Sequence, residues 1–273
     1  MPELPEVETI KETLKPFLCG KTIEQVTVNR PEVIAEPGAA EFVALLRGRR
    51  ILALERRGKF LLVKLSGSYW LVIHLGMTGR LLWLESGAPQ AAHTHLVLRL
   101  EGGEVHFVDP RRFGRLYFFS QPRLAEFIDL KDFGPEPLTP EFTPEKLGEL
   151  LRDRRRPLKA LLLDQRLIAG IGNIYADEIL FAAGLHPLRP ASSLKEKEIN
   201  ALYHSIRKVL AAGIAHGGTT VRDYVDGSGR AGSHQDHLCV YGRAGQGCPA
   251  CGTLIERRRY AGRSTYFCPR CQV

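Results

Sequence analysis

A proline stands directly behind the initiator methionine, in the run Met1-Pro2-Glu3-Leu4-Pro5-Glu6-Val7-Glu8. Methionine is readily removed ahead of proline, and the product carries a free secondary amine at Pro2 beside the carboxylate of Glu3. A free α-amine has a pKa of about 8, against about 10.4 for lysine, so far more of it is unprotonated and nucleophilic at neutral pH. Attack of a secondary amine on an aldehyde carbon gives an iminium with no N–H proton to lose, and that cation is a strong electron sink. The same prolines also stiffen the entry into a helix. These eight residues alone leave both readings open.

A second chemical signal lies near the C-terminus. Cys248-x2-Cys251 and Cys268-x2-Cys271, with sixteen residues between the pairs, have the spacing of a four-thiolate zinc site on a two-hairpin ribbon. Four thiolates leave no open position, so one structural zinc ion is expected rather than a catalytic one. Cys19 and Cys239 read as ordinary, partly buried thiols. Residues 235–273 hold six Arg against two acids, a net +4 out of +8 for the whole chain. A zinc hairpin with that charge suits a phosphate backbone.

The elements that must position these groups follow from periodicity. Val7, Ile10 and Leu14 share one helical face, and Pro5 fits the first turn. From Lys21 to Phe119 about eight short β-rich runs imply a β-sandwich or flattened barrel. Three turns stand out there. Arg56-Arg57-Gly58-Lys59-Phe60 leads basic residues into an apolar strand, where Lys59 alone would pass for a solvated strand residue. His74-Leu75-Gly76-Met77-Thr78-Gly79 places Met77 on a turn, although a single Met is usually core filler. Asp109-Pro110-Arg111-Arg112-Phe113-Gly114 sets an aromatic beside arginines, as a protein needs to wedge a base stack open. Gly134-Pro135-Glu136-Pro137 reads as a linker, with a boundary near Lys131. Helical periodicity then runs through Leu147–Leu151, Lys159–Gln165, Ile174–Ala183 and a helix opened by a Ser193-x-x-Glu196 capping box. Gly170-Ile171-Gly172-Asn173 is a plausible backbone clamp for phosphate. Thr219 to Gln235 reads as a mobile polar loop, either a linker or a substrate lid.

In that order, these motifs together resemble the bacterial formamidopyrimidine-DNA glycosylases, over essentially the full length. The resemblance rests on the first eight residues, Arg57-Gly58-Lys59, His74 to Met77, Asp109 to Gly114, Gly134 to Leu138, Gly172-Asn173-Ile174-Tyr175, Val240 to Arg243 and the cysteine ribbon with Arg263. It implies an α+β, multi-domain fold. The expected segments are an N-terminal helix and β-sandwich (1–131), a helix–two-turn–helix domain with a lesion lid (132–234) and a zinc finger (235–273). It implies Pro2 as nucleophile, Glu3 as general acid supported by Glu6, and Lys59 and Arg263 as proton donors or phosphate contacts. Met77, Arg111 and Phe113 match the family's insertion set, and His93, Arg155 and Asn173 match DNA-backbone contacts. Thr219, Thr220, Val221, Arg222 and Tyr224 match the lid. One departure is Thr78, where some relatives carry an acid.

The implied activity is excision of oxidised purines from damaged double-stranded DNA, followed by β,δ-elimination at the abasic site. Zinc is the only cofactor expected, and the chain is expected to be monomeric. A pI near 9.3 favours an anionic partner. No apolar run reaches the roughly 18–20 residues that span a bilayer, and the acidic N-terminus lacks the features of a signal peptide. A cytoplasmic protein working on chromosomal DNA is therefore expected. Two alternatives are a sister glycosylase for oxidised pyrimidines and a non-enzymatic zinc-ribbon nucleic-acid binder. Leu4 and the complete Met77/Arg111/Phe113 set favour the purine branch, and the binder leaves Pro2-Glu3 unexplained.

Overall fold

A computed structural model describes residues 2–273; Met1, whose removal the expected role of Pro2 requires, lies outside the described residues. The chain forms two compact units. One comprises the residues up to Lys131 together with His216–Gln235, and the other Asp132–Ala215 with Asp236–Val273.

In the first unit, helix α1 (Leu4–Leu18) begins with Pro5 inside its first turn and buries Val7, Ile10, Leu14 and Leu18. Nine strands follow: β1 (Ile23–Val28), β2 (Ile34–Glu36), β3 (Ile51–Arg57), β4 (Phe60–Leu65), β5 (Tyr69–His74), β6 (Arg80–Leu84), β7 (Thr94–Leu100), β8 (Gly103–Val108) and β9 (Arg115–Ser120). They build a four-stranded sheet of order β1-β7-β8-β6 and a five-stranded sheet of order β2-β9-β5-β4-β3. The apolar face of α1 joins one core with side chains from both sheets, among them Leu98 and Phe107 from one and Leu61 and Ile73 from the other. Two short helices, α2 (Ala39–Leu46) and α3 (Gln121–Lys131), were not legible from periodicity. Helix α3 covers the other face of the larger sheet, packing Leu124 and Phe127 on Leu62, Trp70, Val72 and Phe119. Burial on both faces explains why β4 and β5 read as nearly unbroken apolar runs.

The stretch 216–235 departs from expectation. It belongs with the sandwich rather than with the helical segment 132–234, because its backbone is tied there. Thr219 N–H donates to Glu6 Oε1 at 2.8 Å, and Gly227 N–H donates to Thr13 Oγ1 at 2.9 Å. Gly227 C=O in turn accepts Trp83 N–H at 2.8 Å.

The second unit holds α4 (Pro144–Leu151), α5 (Leu158–Leu162), α6 (Asn173–Ala182), α7 (Glu196–Ala215) and a hairpin of β10 (Glu256–Tyr260) and β11 (Arg263–Phe267). Helix α5 stops well before Gln165, whose side-chain amide bridges Leu163 C=O, Ile171 C=O and Gly170 N–H across the following turn. The Ser193/Glu196 box does not form. Ser193 lies in a short 3-10 turn, and Glu198 instead reaches back to Lys195 N–H at 2.8 Å. The hairpin is no separate body, because a buried ion pair fastens it to the helices. Lys159 Nζ lies 2.7 Å from Asp177 Oδ1. It also donates to Ser264 C=O and Thr265 Oγ1, at 2.8 and 3.0 Å. Asp177 Oδ2 accepts Tyr266 N–H at 3.0 Å. Glu178, next along α6, accepts the N–H groups of Cys239, Val240 and Tyr241. Among the described residues no helix is long and apolar enough to cross a membrane.

Removing one partner of a buried pair strands the other charge, so Asp177→Asn should destabilise this unit by about 3–5 kcal/mol. Chemical denaturation measures this. The double change Lys159→Met with Asp177→Leu should recover much of the loss.

Candidate functional site

The N-terminal turn is built around one carboxylate. Pro2 is buried, and Glu3 and Glu6 are each 2% exposed. Glu3 caps α1 and Glu6 occupies its third position, so the two form a capping box. Glu6 Oε2 accepts Glu3 N–H at 2.8 Å, and Glu6 Oε1 accepts Thr219 N–H at 2.8 Å. One side chain thus ties the residue next to Pro2 to the predicted lid. Tyr224 is buried over the same turn, with its hydroxyl donating to Gly217 C=O at 3.0 Å. That burial, together with the Glu6 charge, raises the Tyr224 pKa, which keeps it a neutral donor. Thr220 Oγ1 donates to Tyr224 C=O and accepts Gly232 N–H. Val221 to Asp223 and Ser228 to Ala231 are the loop's exposed stretches. The loop is therefore largely anchored, where composition suggested mobility.

Lys59 sits in a two-residue turn between β3 and β4, led by Gly58 at φ 55. A positive φ at the first turn position matches the twist of a tight hairpin and needs glycine. Lys59 is 8% exposed, and its charge acts on His74 at the end of β5. Burial, with Lys59, Lys131 and Arg115, holds the His74 pKa down to about 4 from 6.5. His74 is therefore neutral at physiological pH and accepts Gly76 N–H on Nδ1 at 3.3 Å.

The two glycine turns expected to carry a wedge come together. Gly76 has φ 62, and a Cβ there would lie 2.6 Å from Gly114 N, so the loops touch through backbone. On them Met77 is 42% and Phe113 50% exposed, and the Arg111 guanidinium stacks 4.6 Å from the Phe113 ring centroid. Both loops hang on Asp109, a fully buried residue that sequence reasoning passed over. His93, at φ 66, presents its side chain to solvent while its C=O accepts Asp109 N–H.

In the second unit Asn173 opens α6, and its Nδ2 donates to Ser264 C=O at 3.1 Å. Together with Lys159 it fixes the backbone directly after Arg263. Arg263, Arg156, Lys159 and Tyr260 line a cavity of about 290 Å³. Arg155 is exposed on the loop before α5 and joins none of these groups. Lys159 and Asp177 were missed because their periodic signal is that of an ordinary helix; the clue was a lysine among apolar neighbours.

The four cysteine sulfurs lie within 4.8 Å of one another. Cys248 Sγ and Cys271 Sγ are 3.8 Å apart, and Cys251 Sγ and Cys268 Sγ 3.5 Å. Zn–S bonds of about 2.3 Å in a tetrahedron give S–S edges of about 3.8 Å. The set fits zinc, and Ala250 and Cys271 N–H groups point at the sulfurs of Cys248 and Cys268.

Sandwich, helical module and four-cysteine hairpin make a combination that comparison with known proteins identifies. The family model for the formamidopyrimidine-DNA glycosylase N-terminal domain matches residues 1–116. That for the family's H2TH domain matches 133–225, and the zinc finger found in FPG and IleRS matches 245–273. The chain is 58% identical to the formamidopyrimidine-DNA glycosylase of Moorella thermoacetica, over 95% of each chain. It is 51% identical to that of Carboxydothermus hydrogenoformans, over 100% of both. A Lactococcus lactis FPG mutant, solved with Fapy-dG-containing DNA, superposes with a TM-score of 0.94 at 36% identity, covering 99% of each chain. The chain belongs to the formamidopyrimidine-DNA glycosylase family. It is an enzyme, a DNA glycosylase of a family with glycosylase and abasic-site lyase activities, and it holds one structural zinc.

Cys268→Ser is expected to release zinc and, because metal-held folds lose structure with their ion, to lower the melting temperature of the second unit; metal content and calorimetry check both. His74 supplies a pH effect. Its folded pKa is depressed, so its contribution is present above 6.5 and lost as pH falls toward 4. The loss is at most about 3 kcal/mol. His74→Asn keeps an acceptor for Gly76 N–H and should flatten that acid limb in urea titrations across this window.

Proposed function

We propose that this chain excises oxidised purines, such as 8-oxoguanine and formamidopyrimidines, from damaged duplex DNA and then cleaves the abasic site. The supporting observation is the buried turn in which Glu6 holds Glu3, beside Pro2, against the Thr219 backbone. A relative solved with Fapy-dG-containing DNA supports the substrate class. Once Met1 is removed, the Pro2 nitrogen lone pair forms a bond to C1′ of the damaged nucleoside. The glycosidic electrons leave with the base, which takes up the proton released by the Pro2 nitrogen. Glu3 donates a proton to O4′ as the sugar ring opens, and the iminium forms. The iminium draws electron density from C2′, a C2′ proton is lost, and the 3′ phosphate leaves in β-elimination. A second elimination releases the 5′ phosphate. Lys59 is a proton-transfer group, and Arg263, Asn173, Arg155 and His93 are contacts to the DNA backbone.

Opening the duplex falls to Met77, Phe113 and Arg111. The two apolar side chains fill the space of the flipped nucleotide, and Arg111 faces the orphaned base. Thr219, Thr220, Val221, Arg222 and Tyr224 cover the extruded purine. Zinc holds the ribbon that presents Arg263 and takes no part in bond-making. The enzyme acts as a monomer on chromosomal DNA in the cytoplasm, without a small-molecule cofactor.

Borohydride reduction during reaction with an 8-oxoguanine duplex should yield a covalent adduct, mapped by peptide mass spectrometry to Pro2 of a chain lacking Met1. Pro2→Gly should abolish trapping and leave duplex binding within about threefold, since binding rests on phosphate contacts. Undiminished trapping would remove Pro2 as nucleophile, and trapping confined to an oxidised-pyrimidine duplex would reassign the substrate.

A further inference from the structure

The loops that carry Met77, Arg111 and Phe113 are joined by one buried hydroxyl. Thr78, directly after Met77, is 8% exposed and donates Oγ1–H to Asp109 Oδ1 at 2.5 Å. Asp109 is 0% exposed, and its other carboxylate oxygen accepts Gly114 N–H at 2.7 Å. Arg111 N–H lies 3.3 Å from both Thr78 Oγ1 and Asp109 Oδ1. From the sheet side, His95 Nε2 is 2.7 Å from Asp109 C=O. A carbonyl only accepts, so that nitrogen carries the ring proton.

A carboxylate is likewise acceptor-only, so the Thr78 hydroxyl must donate to Asp109 and has lone pairs left for Arg111 N–H. It is used in both directions, where it cannot be replaced by water without moving a loop. The backbone contact of Gly76 with Gly114 brings the loops together, but van der Waals contact alone does not fix how far one slides past the other. The directional bonds of Thr78 do. Rigidity matters mechanically here. Unstacking a base step costs a few kcal/mol, and a wedge whose base gives way relaxes under that load instead of opening the stack.

We infer that Thr78 is the positioning residue of the wedge. Its hydroxyl, seated on Asp109, holds the Met77 loop and the Arg111 backbone in one register. It thereby sets the rate of base excision and the preference for the base opposite the lesion. This rests on Met77, Arg111 and Phe113 acting as the wedge.

Single-turnover excision on 8-oxoguanine duplexes, opposite cytosine and opposite adenine, tests it beside strand cleavage at a preformed abasic site. An abasic site has no damaged base to unstack, and extrusion costs least for already disrupted positions. Thr78→Val, near-isosteric but without the hydroxyl, should slow excision about tenfold, the equivalent of about 1.4 kcal/mol, and narrow the opposite-base preference. Abasic cleavage should stay within about twofold of wild type on the same scale. Thr78→Ser should restore both excision and preference. Thr78→Ala serves the same purpose should the valine variant fail to fold, and melting temperatures accompany every variant. Unchanged excision, an equal loss on both substrates, or failure of serine to rescue overturns the inference. Phe113→Ala separates the two levels. If it leaves excision intact, the wedge reading falls; if it impairs excision while Thr78→Val does not, only the role of Thr78 falls.

Discussion

The order of the N-terminal turn depends on where the carboxylate of Glu6 is held. A chain terminus ordinarily frays, because its first backbone groups have nothing to hold them. Here Glu3 donates its N–H to Glu6 Oε2, while Oε1 takes the N–H of Thr219. Hydrogen bonds to a charged acceptor are worth about 1.5–3 kcal/mol each. Burial at 2% exposure removes competing water. One side chain therefore orders the N-terminal turn and the backbone at Thr219 together, although they are more than two hundred residues apart in the chain.

The same device recurs. Asp109 satisfies its oxygens with Thr78, Arg111 and Gly114, and so suspends two exposed loops from a rigid sheet. Asp177 and Glu178 accept backbone N–H groups around the zinc ribbon and bind it to α6. In each case a buried acid is spent on backbone donors, which places loops with the precision of the element beneath them. A flexible composition is held at particular points here, because Thr219, Thr220 and Gly227 pair their polar groups.

Much of this was legible in the residues. The strands over 23–120 alternate or run apolar as their burial requires, and the Cys spacing allowed little beyond a zinc ribbon. Periodicity did not reveal α2, whose eight residues bury only Phe42 and Leu46. It also passed over α3, which turns only Leu124 and Phe127 inward. Two buried positions on a short helix do not make a pattern. The capping box at Ser193 failed for a local reason: Ser193 Oγ donates to Pro190 C=O, leaving Glu198 to cap at Lys195, two residues further on. The acids that organise the site were visible as letters but not as partners. Nothing local distinguishes Glu6 from Glu8, or Asp109 from any turn aspartate, until the fold supplies the distant N–H groups they accept.

The most direct measurement is amide hydrogen exchange at Glu3 and Thr219, resolved by NMR in the wild type and in Glu6→Gln. A glutamine can accept at only one of its two side-chain positions, so it cannot serve both amides. Both should be protected in the wild type, with protection of one of them lost in the variant. Fast exchange at Thr219 in the wild type, or equal protection at both sites in Glu6→Gln, would contradict the tie on which the site is built.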